Sequence, residues 1–587
     1  MRDSFAGSES GLEQGSQPLA LSRRLAGVVG AALLGFVASP GNAGENGSLV
    51  LAVLGVALWA WTAVRPLGPR PRKALACEWA GGALGGGAMM WWCSYVTGPD
   101  TLYIGVVYIG AGWGVYAAGM GALLRRLARR LPLPLAAGLA WTGVELVRAL
   151  VPPPFGLGWF RLGYYAHAHL WLSGSARVIG VEGLTFVLAA LGGGLAALAR
   201  ERRPRPSVLA FALTPLALAA LSARLVPAPS TVDGPRVLLV QPGFTQRRKQ
   251  HEDPRENLAF SRDLTHRGAL ETGAAEAGPA DLVCWGESML YVPVFTPAAE
   301  AAVRAGTARF PVWDEPLSAK DLDSCRAAEK HWVERELMAL GARERSFPSG
   351  ASFAVGVECY DLVDGWLRRK VALVLYDQAG GRSEPAFKQY LVPLGETFFG
   401  LERFAWVRSL AASAAGYVPD LLPGNQTGAL ELRGHDGRSY RASGTVCFDN
   451  AHPWPYLNAV RSGPIDFHLV ASNEAWYETS CEMDQMVAFS RVFALMTGRA
   501  FVRATNSGVS LVVGPDGHEL GRVRDAHGTD RAVAGFGAWT VPVPAPGSAS
   551  TTPYVGWGRF SEALWIALAA LAALFGGRTG NHPEKTG

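Results

Sequence analysis

The chain has 587 residues, of which 49% are hydrophobic and 18% charged, with a formal net charge of +5. That balance is too apolar for an ordinary soluble protein, and the length allows more than one domain. The basic residues cluster in short loops between apolar runs, which reads as membrane topology and speaks against a nucleic-acid-binding face.

Apolar runs occur at residues 25–39, 47–64, 76–97, 103–124, 133–151, 176–199 and 207–223, with an eighth near 561–576. Most approach the ~20 residues needed to cross a bilayer. The first follows Arg23 and Arg24 in the manner of a signal peptide. Six further runs come after it, so a retained anchor is expected. Loop 65–74 holds Arg65, Arg70, Arg72 and Lys73. Loop 125–131 holds Arg125, Arg126, Arg129 and Arg130, and loop 200–206 holds Arg200, Arg202, Arg203 and Arg205. Loops 40–46 and 98–102 contain no Lys or Arg. The alternation predicts a cytoplasmic N-terminal tail (1–24) and a seven-helix transmembrane bundle over 25–230. It then predicts an extracytoplasmic domain over 231–547, a returning helix at 559–577 and a cytoplasmic tail at 578–587. Glu145 and Arg148, three residues apart inside the fifth run, can neutralise each other on one helix face, with a helix end close to the interface an equally open reading. Segment 153–172 is aromatic-rich but broken by Pro and Gly, and suits the headgroup zone. Abundant glycine in the spans favours a compact bundle.

The middle of the chain alternates β-rich runs with helical stretches. Candidate strands are Arg236–Gln241, Asp281–Trp285, Ser352–Val357, Val371–Tyr376, Ser443–Phe448, Phe467–Ser472, Ala500–Ala504 and Val509–Val513. Several are continuous apolar runs, as expected of strands covered on both faces. Residues 484–498 have helical periodicity and end on Gly498, a plausible C-cap. The pattern predicts an α/β domain whose sheets are covered by helices. Residues 297–350 are polar and helix-prone, and read as an insertion.

Seven cysteines are present, with no C-x-x-C pair and no Cys/His cluster at metal spacing, so a structural zinc site is not expected. Three segments place a reactive group just after, or at the end of, a candidate strand, where α/β folds collect their chemistry. These are DLVCWGES with Glu287, AFKQYLVPLGETFF with Lys388 and then Glu396, and GTVCFDNAHP with Cys447. A carboxylate can take the proton of a thiol and return it to a leaving group. An ammonium can favour the thiolate and offset an oxyanion. Taken singly, Cys447 could be a core cysteine, Glu287 a helix cap and Lys388 a surface charge. Cys284 reads as core. Asn473, Glu474 and Trp476 are expected to shape a pocket, and Arg503, Asn506 and Ser507 to satisfy backbone groups.

An ordered set of segments then carries a family resemblance. It comprises PFGLGWFRLGYY at 154–165, VIGVEGLTF at 178–186, VLLVQPGFTQ at 237–246 and WGES at 285–288. It continues with FKQYLVPLGETF at 387–398, the Cys447 strand, ASNEAWYETS at 471–480, GRAFVRATNSGVSLVVGPDG at 498–517 and TPYVGWG at 552–558. The chain resembles the bacterial apolipoprotein N-acyltransferases, in which a polytopic helical membrane bundle is fused to a nitrilase-type (carbon–nitrogen hydrolase) domain. The resemblance implies an αββα sandwich over 231–547 and a Glu287–Lys388–Cys447 triad, with Glu396 as an additional acid and Phe448 and Asp449 as supporting residues. It implies a ping-pong transfer without cofactor. Cys447 takes an acyl chain from a phospholipid as a thioester and passes it to the α-amine of diacylglyceryl-cysteine in a lipoprotein. It further implies residence in the bacterial inner membrane among membrane lipids, with the oligomeric state left open. Phe448 and Asp449 stand where the family usually has Tyr and Glu, and Gly243 and Gln250 where Asn and Trp are common. Those departures keep a second enzyme class open, a membrane-anchored nitrilase-type amidase that uses water as acceptor. A catalytically idle membrane scaffold is the third class, and the complete triad argues against it.

Overall fold

A computed structural model describes residues 17–97, 103–153, 155–200, 205–273, 278–311, 315–415, 420–547 and 551–575. Loop 98–102, most of the 1–24 tail, Arg202, Arg203 and the 578–587 tail lie outside the described residues. The chain forms two compact units, divided between residues 227 and 228 and again between 556 and 557.

The first unit is helical. Its elements are α1 (Leu21–Ala38), α2 (Leu49–Ala63), α3 (Pro71–Met89), α4 (Ile104–Leu127), α5 (Leu133–Leu150), α6 (Ala176–Leu198), α7 (Pro206–Leu225) and most of a C-terminal helix, Pro553–Phe575. Among the described residues six helices are long and apolar enough to cross a membrane: α1, α4, α5, α6, α7 and the C-terminal one. Helix α2 is shorter, at 15 residues. Helix α3 begins at Pro71, ahead of the apolar run at 76, because proline suits the first helical turn even where Arg72 and Lys73 follow. The C-terminal helix likewise opens at a proline, Pro553, before its apolar run.

Glycine lets the helices approach closely. A Cβ added to Gly82 of α3 would lie 2.3 Å from the Ala117 Cβ of α4, and one on Gly86 would lie 2.5 Å from the Trp113 Cβ. Charge is also buried. Glu78 accepts from Arg24 and Arg125, both at 2.6 Å, and its side chain is fully covered. Arg24 also donates to the carbonyls of Arg65 and Pro66 at 3.0 and 2.7 Å, which gathers the basic ends of α1, α2, α3 and α4 around one carboxylate.

Glu145 and Arg148 lie close enough to interact as charges, and their hydrogen bonds go to other groups. Glu145 accepts from Trp141 Nε1 (2.9 Å), the Leu162 amide (3.1 Å) and Thr185 Oγ1 (3.3 Å). Arg148 donates to the carbonyls of Leu157 and Trp159, both at 3.0 Å, and its guanidinium lies 3.9 Å from the Trp113 ring. The two side chains thus satisfy a non-helical stretch of backbone, which is tolerated at membrane depth only when buried in protein. In keeping with this, Trp159, Phe160, Tyr164 and Tyr165 of segment 153–172 are buried inside the bundle.

The second unit is a two-sheet sandwich. Strands β1 (Thr231–Gln241), β2 (Leu282–Cys284), β3 (Val294–Phe295), β4 (Ser352–Val363), β5 (Trp366–Tyr376), β6 (Ala386–Phe387) and β13 (Gly535–Pro544) form the first sheet, in the order β13-β1-β2-β4-β5-β6 with β3 beside β4. Strands β7 (Gly428–Arg433), β8 (Ser439–Val446), β9 (Phe467–Ser472), β10 (Ala500–Thr505), β11 (Leu511–Val513) and β12 (Glu519–Arg522) form the second, in the order β12-β11-β10-β9-β8-β7. Each sheet has a parallel centre, β1-β2-β4 and β8-β9-β10, flanked by antiparallel strands.

Successive side chains of a strand face opposite ways. Val237, Leu239, Leu282, Cys284 and Ala354 therefore meet Val446, Phe467, Leu469 and Val502 between the sheets. Leu238, Val240, Val283, Phe353 and Val355 face outward onto Leu258 and Leu264 of the helix Pro254–Gly273. The helices Trp454–Ser462 and Glu482–Thr497 cover the other sheet. Four layers, αββα, result, as the resemblance implies. The described part of residues 297–350 contains the helical stretches Pro297–Arg304, Ala319–Lys330, His331–Ala339 and Leu340–Arg343, joined by loops. Ala299, Val303 and Leu322 of this segment pack with Phe295 of β3 and Leu367 of β5 in a small separate core.

One prediction follows from the buried charge of the first unit. Glu78→Leu leaves two arginines without a counter-charge, a change that costs about 3–5 kcal/mol at a buried pair. The unfolding temperature of the detergent-solubilised protein should fall sharply. An unchanged temperature would mean that Glu78 does not hold the helix ends together.

Candidate active site

The carboxyl ends of the parallel strands carry the candidate residues. Glu287 follows β2 in a pinched turn. A Cβ on Gly286 would lie 2.7 Å from the Asn506 amide nitrogen, and one on Gly356 would lie 2.5 Å from the Glu287 Cα. Only glycine permits that approach. The Glu287 amide donates to the Ser472 carbonyl at 3.3 Å, and the Asn506 amide donates to the same oxygen at 3.1 Å. The Glu287 turn is thereby fastened to the ends of β9 and β10.

Lys388 follows β6, whose pairing with β5 continues in the bond from the Lys388 amide to the Val371 carbonyl, 2.9 Å. Its ammonium is fully buried, 3.2 Å from Glu287 Oε1 and 2.7 Å from Glu396 Oε1. Glu396 reaches back because residues 392–396 form a turn. Its own amide donates to the Val392 carbonyl, and its second oxygen accepts the Val392 amide, each at 2.9 Å.

Cys447 directly follows β8 with a positive φ of 48°, a conformation that non-glycine residues adopt rarely and that recurs at functional sites. The turn after it is anchored twice. Asp449 accepts from the amides of Gln389 (2.9 Å), Tyr390 (2.8 Å) and Val446 (3.1 Å), which ties the Lys388 segment to the Cys447 segment. Asn450 donates to the Met486 carbonyl at 3.0 Å and accepts from Tyr456 and Ser490, each at 3.2 Å. Phe448 packs edge-on against His452 at 5.1 Å, and His452 stacks on Tyr390 at 3.8 Å.

The electrostatics follow from burial among these charges. Burial, with Glu287 close by, pushes the Cys447 thiol well above its ordinary value against the pull of Lys388, so the resting group is a protonated thiol. Burial opposes the charge of Lys388, but Cys447, Glu287 and Glu396 outweigh it and hold the ammonium well above the ordinary lysine value. Burial also raises Glu396. Asp449 is pushed up to about 7 by burial, although three backbone donors and Lys388 pull it down.

Glu287, Lys388, Cys447, Glu396 and Asp449 thus form one linked cluster, with Phe448 packed beside it. Asp449 is fully buried and spends its oxygens on backbone amides, so it fixes two segments together. Arg503 differs from expectation: it forms a fully buried ion pair with Glu474 instead of satisfying only backbone groups. Asn506 does serve the backbone, bonding the Phe244 amide and carbonyl at 3.1 and 2.8 Å, and it also holds Asn473 at 2.9 Å. Gly243 has φ +71°, and a Cβ there would lie 2.5 Å from the Val533 carbonyl carbon, which accounts for glycine at that place.

A second lysine was not legible in the sequence. Lys249 of the short helix Gln246–His251 donates to the Glu287 carbonyl at 3.0 Å, and burial pushes it down to about 8, against the charges of Glu287 and Cys447. It stands in the run Arg247-Arg248-Lys249, which reads as a solvated basic face. The signal that could have found it is its place six residues after Gly243, in the turn that leaves β1.

The chain is similar to several known proteins. Residues 30–195 match the family model for the apolipoprotein N-acyltransferase N-terminal domain. An apolipoprotein N-acyltransferase of Chlorobaculum tepidum is 26% identical over 385 residues, covering 64% of this chain and 66% of its own. That of Geobacter metallireducens is 26% identical over 80% of this chain and 83% of its own, and that of Pseudomonas putida 25% identical over 90% and 92%. Among solved structures, a nitrilase-superfamily amidase of Nesterenkonia AN1 is similar at 19% identity, over 57% of this chain and 95% of its own, with a TM-score of 0.32.

The two lysines should titrate apart. A lysine is charged below its pKa, so at pH 9 Lys249 is largely neutral and Lys388 remains an ammonium. Competitive amine labelling between pH 6 and 10, read by peptide mass spectrometry, should modify Lys249 with a midpoint near 8 and leave Lys388 unmodified. Equal labelling of both would contradict the arrangement. With six helices long and apolar enough to cross a membrane among its described residues, an αββα unit and relatives along most of its length, the chain is similar to the apolipoprotein N-acyltransferases.

Proposed function

We propose that this protein transfers an acyl chain from a phospholipid to the N-terminal amine of diacylglyceryl-cysteine in lipoproteins, through a thioester on Cys447. The observation that carries the reading is the convergence of a buried thiol, a buried ammonium and two carboxylates in a chain similar to the apolipoprotein N-acyltransferases. Glu287 takes the Cys447 proton as the sulfur attacks the ester carbonyl. Lys388, held by Glu287 and Glu396, offsets the negative charge that develops on the carbonyl oxygen. The tetrahedral species collapses, the glycerol oxygen receives the proton from Glu287, and a lysophospholipid leaves. In the second half, Glu287 accepts a proton from the lipoprotein amine as it attacks the thioester, and Cys447 is regenerated.

The arginine-rich loops support a place in the bacterial cytoplasmic membrane with the αββα unit on the extracytoplasmic side. Both substrates are lipids, which accords with a chain that crosses the membrane several times.

The test is the mass of lipoprotein N-termini. Cells depleted of the protein should accumulate diacylated lipoproteins with a free amine. Wild-type protein should add one acyl chain, and Cys447→Ala none. Glu287→Gln should slow the transfer at least ~100-fold, the usual weight of general acid–base catalysis. Unchanged lipoprotein masses on depletion, with release of fatty acid or ammonia by the purified protein, would replace this reading with the water-accepting hydrolase.

A further inference from the structure

The two lysines at the site are satisfied differently. Lys388 lies between two carboxylates and has its charge matched. Lys249 has no carboxylate partner among the described residues, and its one hydrogen bond goes to the Glu287 carbonyl. An ammonium carries three donors, so two remain. The neighbouring cation is otherwise occupied: Arg248 donates to Asn257 at 2.8 Å, pairs with Glu252 at 3.0 Å and lies over the Phe244 ring at 4.3 Å. Lys249 alone of this turn is directed at the cluster, with the Glu287 carboxylate and the Cys447 thiol as its titratable neighbours. A half-buried cation with no carboxylate in hydrogen-bond reach among the described residues, beside a nucleophile, is set for an anion that arrives with the substrate.

The proposed reaction brings one such anion. The phosphodiester of a phospholipid lies a few bonds from the ester that Cys447 attacks, whereas the diacylglyceryl-cysteine acceptor has no phosphate. We propose that Lys249 binds the phosphate of the acyl donor and so selects phosphate-bearing esters over neutral ones in the first half-reaction. This inference rests on the acyl-transfer reading.

The position of Lys249 also allows a different role, holding the Glu287 turn in place, and the experiment separates the two. Glu287 serves both half-reactions and every donor, whereas a phosphate contact serves only the phospholipid step. Full-length wild type, Lys249→Met and Lys249→Arg are assayed in detergent micelles for acylation of Cys447. One donor is a phosphatidylglycerol and the other the neutral ester p-nitrophenyl palmitate. The preformed thioester is then chased with a diacylglyceryl-cysteine peptide. Lys249→Met should slow acylation by the phospholipid about tenfold or more, the usual worth of one charged hydrogen bond. It should leave the neutral ester and the chase unchanged, and Lys249→Arg should retain the phospholipid rate. Equal losses with both donors, or a slowed chase, would assign Lys249 to holding the Glu287 turn and overturn the inference. Unchanged phospholipid acylation in Lys249→Met would overturn it as well. Wild type that accepts palmitate from the neutral ester but never an acyl chain from phospholipid would defeat the acyl-transfer reading itself.

Discussion

Lys388 is a fully buried ammonium 3.2 Å from one carboxylate and 2.7 Å from another. An isolated charge at such a place would lose its proton, because burial penalises the charged form. Two carboxylates reverse that, and the lysine stays charged. The same group then works against its neighbour: two negative charges around one positive charge leave a surplus that, with burial, keeps Cys447 protonated. On the proposed mechanism the thiol is therefore activated only as Glu287 takes its proton, when substrate is in place, and not as a standing thiolate exposed to adventitious oxidation.

That ionic cluster dictates much of the sandwich. Glu287 and Lys388 leave strands of the first sheet, and Cys447 leaves a strand of the second, so the sheets must align to within a few ångströms at their ends. The apolar core between them sets their separation. Fastenings at the strand ends set the rest. The Ser472 carbonyl takes the amides of Glu287 and Asn506, and Asp449 takes amides from the segments of Lys388 and Cys447. In each case a buried acceptor is consumed by backbone, as buried polar groups require. The departure from the family pair, Phe448-Asp449, fits this scheme: the shorter carboxylate still reaches three amides, and the ring packs on His452. Neither residue supplies a group that the proposed proton transfers need.

Much of this was legible in the sequence. Strands β1, β2, β4, β5, β8, β9, β10 and β11 were visible because both faces of each are largely covered, which leaves continuous apolar runs. Gly498 announced the end of its helix, and it adopts φ +67° there. Strands β3 and β6 have two residues each and no pattern to detect. Strands β12 and β13 are half-exposed and alternate weakly. The three residues of the proposed triad could be singled out because each adjoins a recognisable strand. Lys249 was missed because two arginines precede it and local charge patterning cannot tell which side chain turns inward. Glu145 and Arg148 were recognised as unusual, but their partners, a loop backbone and a tryptophan, are set by tertiary packing, which helical spacing does not encode.

The central claim is that Cys447 carries the acyl chain between donor and acceptor. It is tested most directly by the intact mass of purified protein given phospholipid and no acceptor. The account predicts a gain of one acyl chain, located on Cys447, released by neutral hydroxylamine and lost on addition of a diacylglyceryl-cysteine peptide that gains it. Acylation of Cys359 or Cys481 in place of Cys447, or fatty acid release without any chase into the peptide amine, would contradict it.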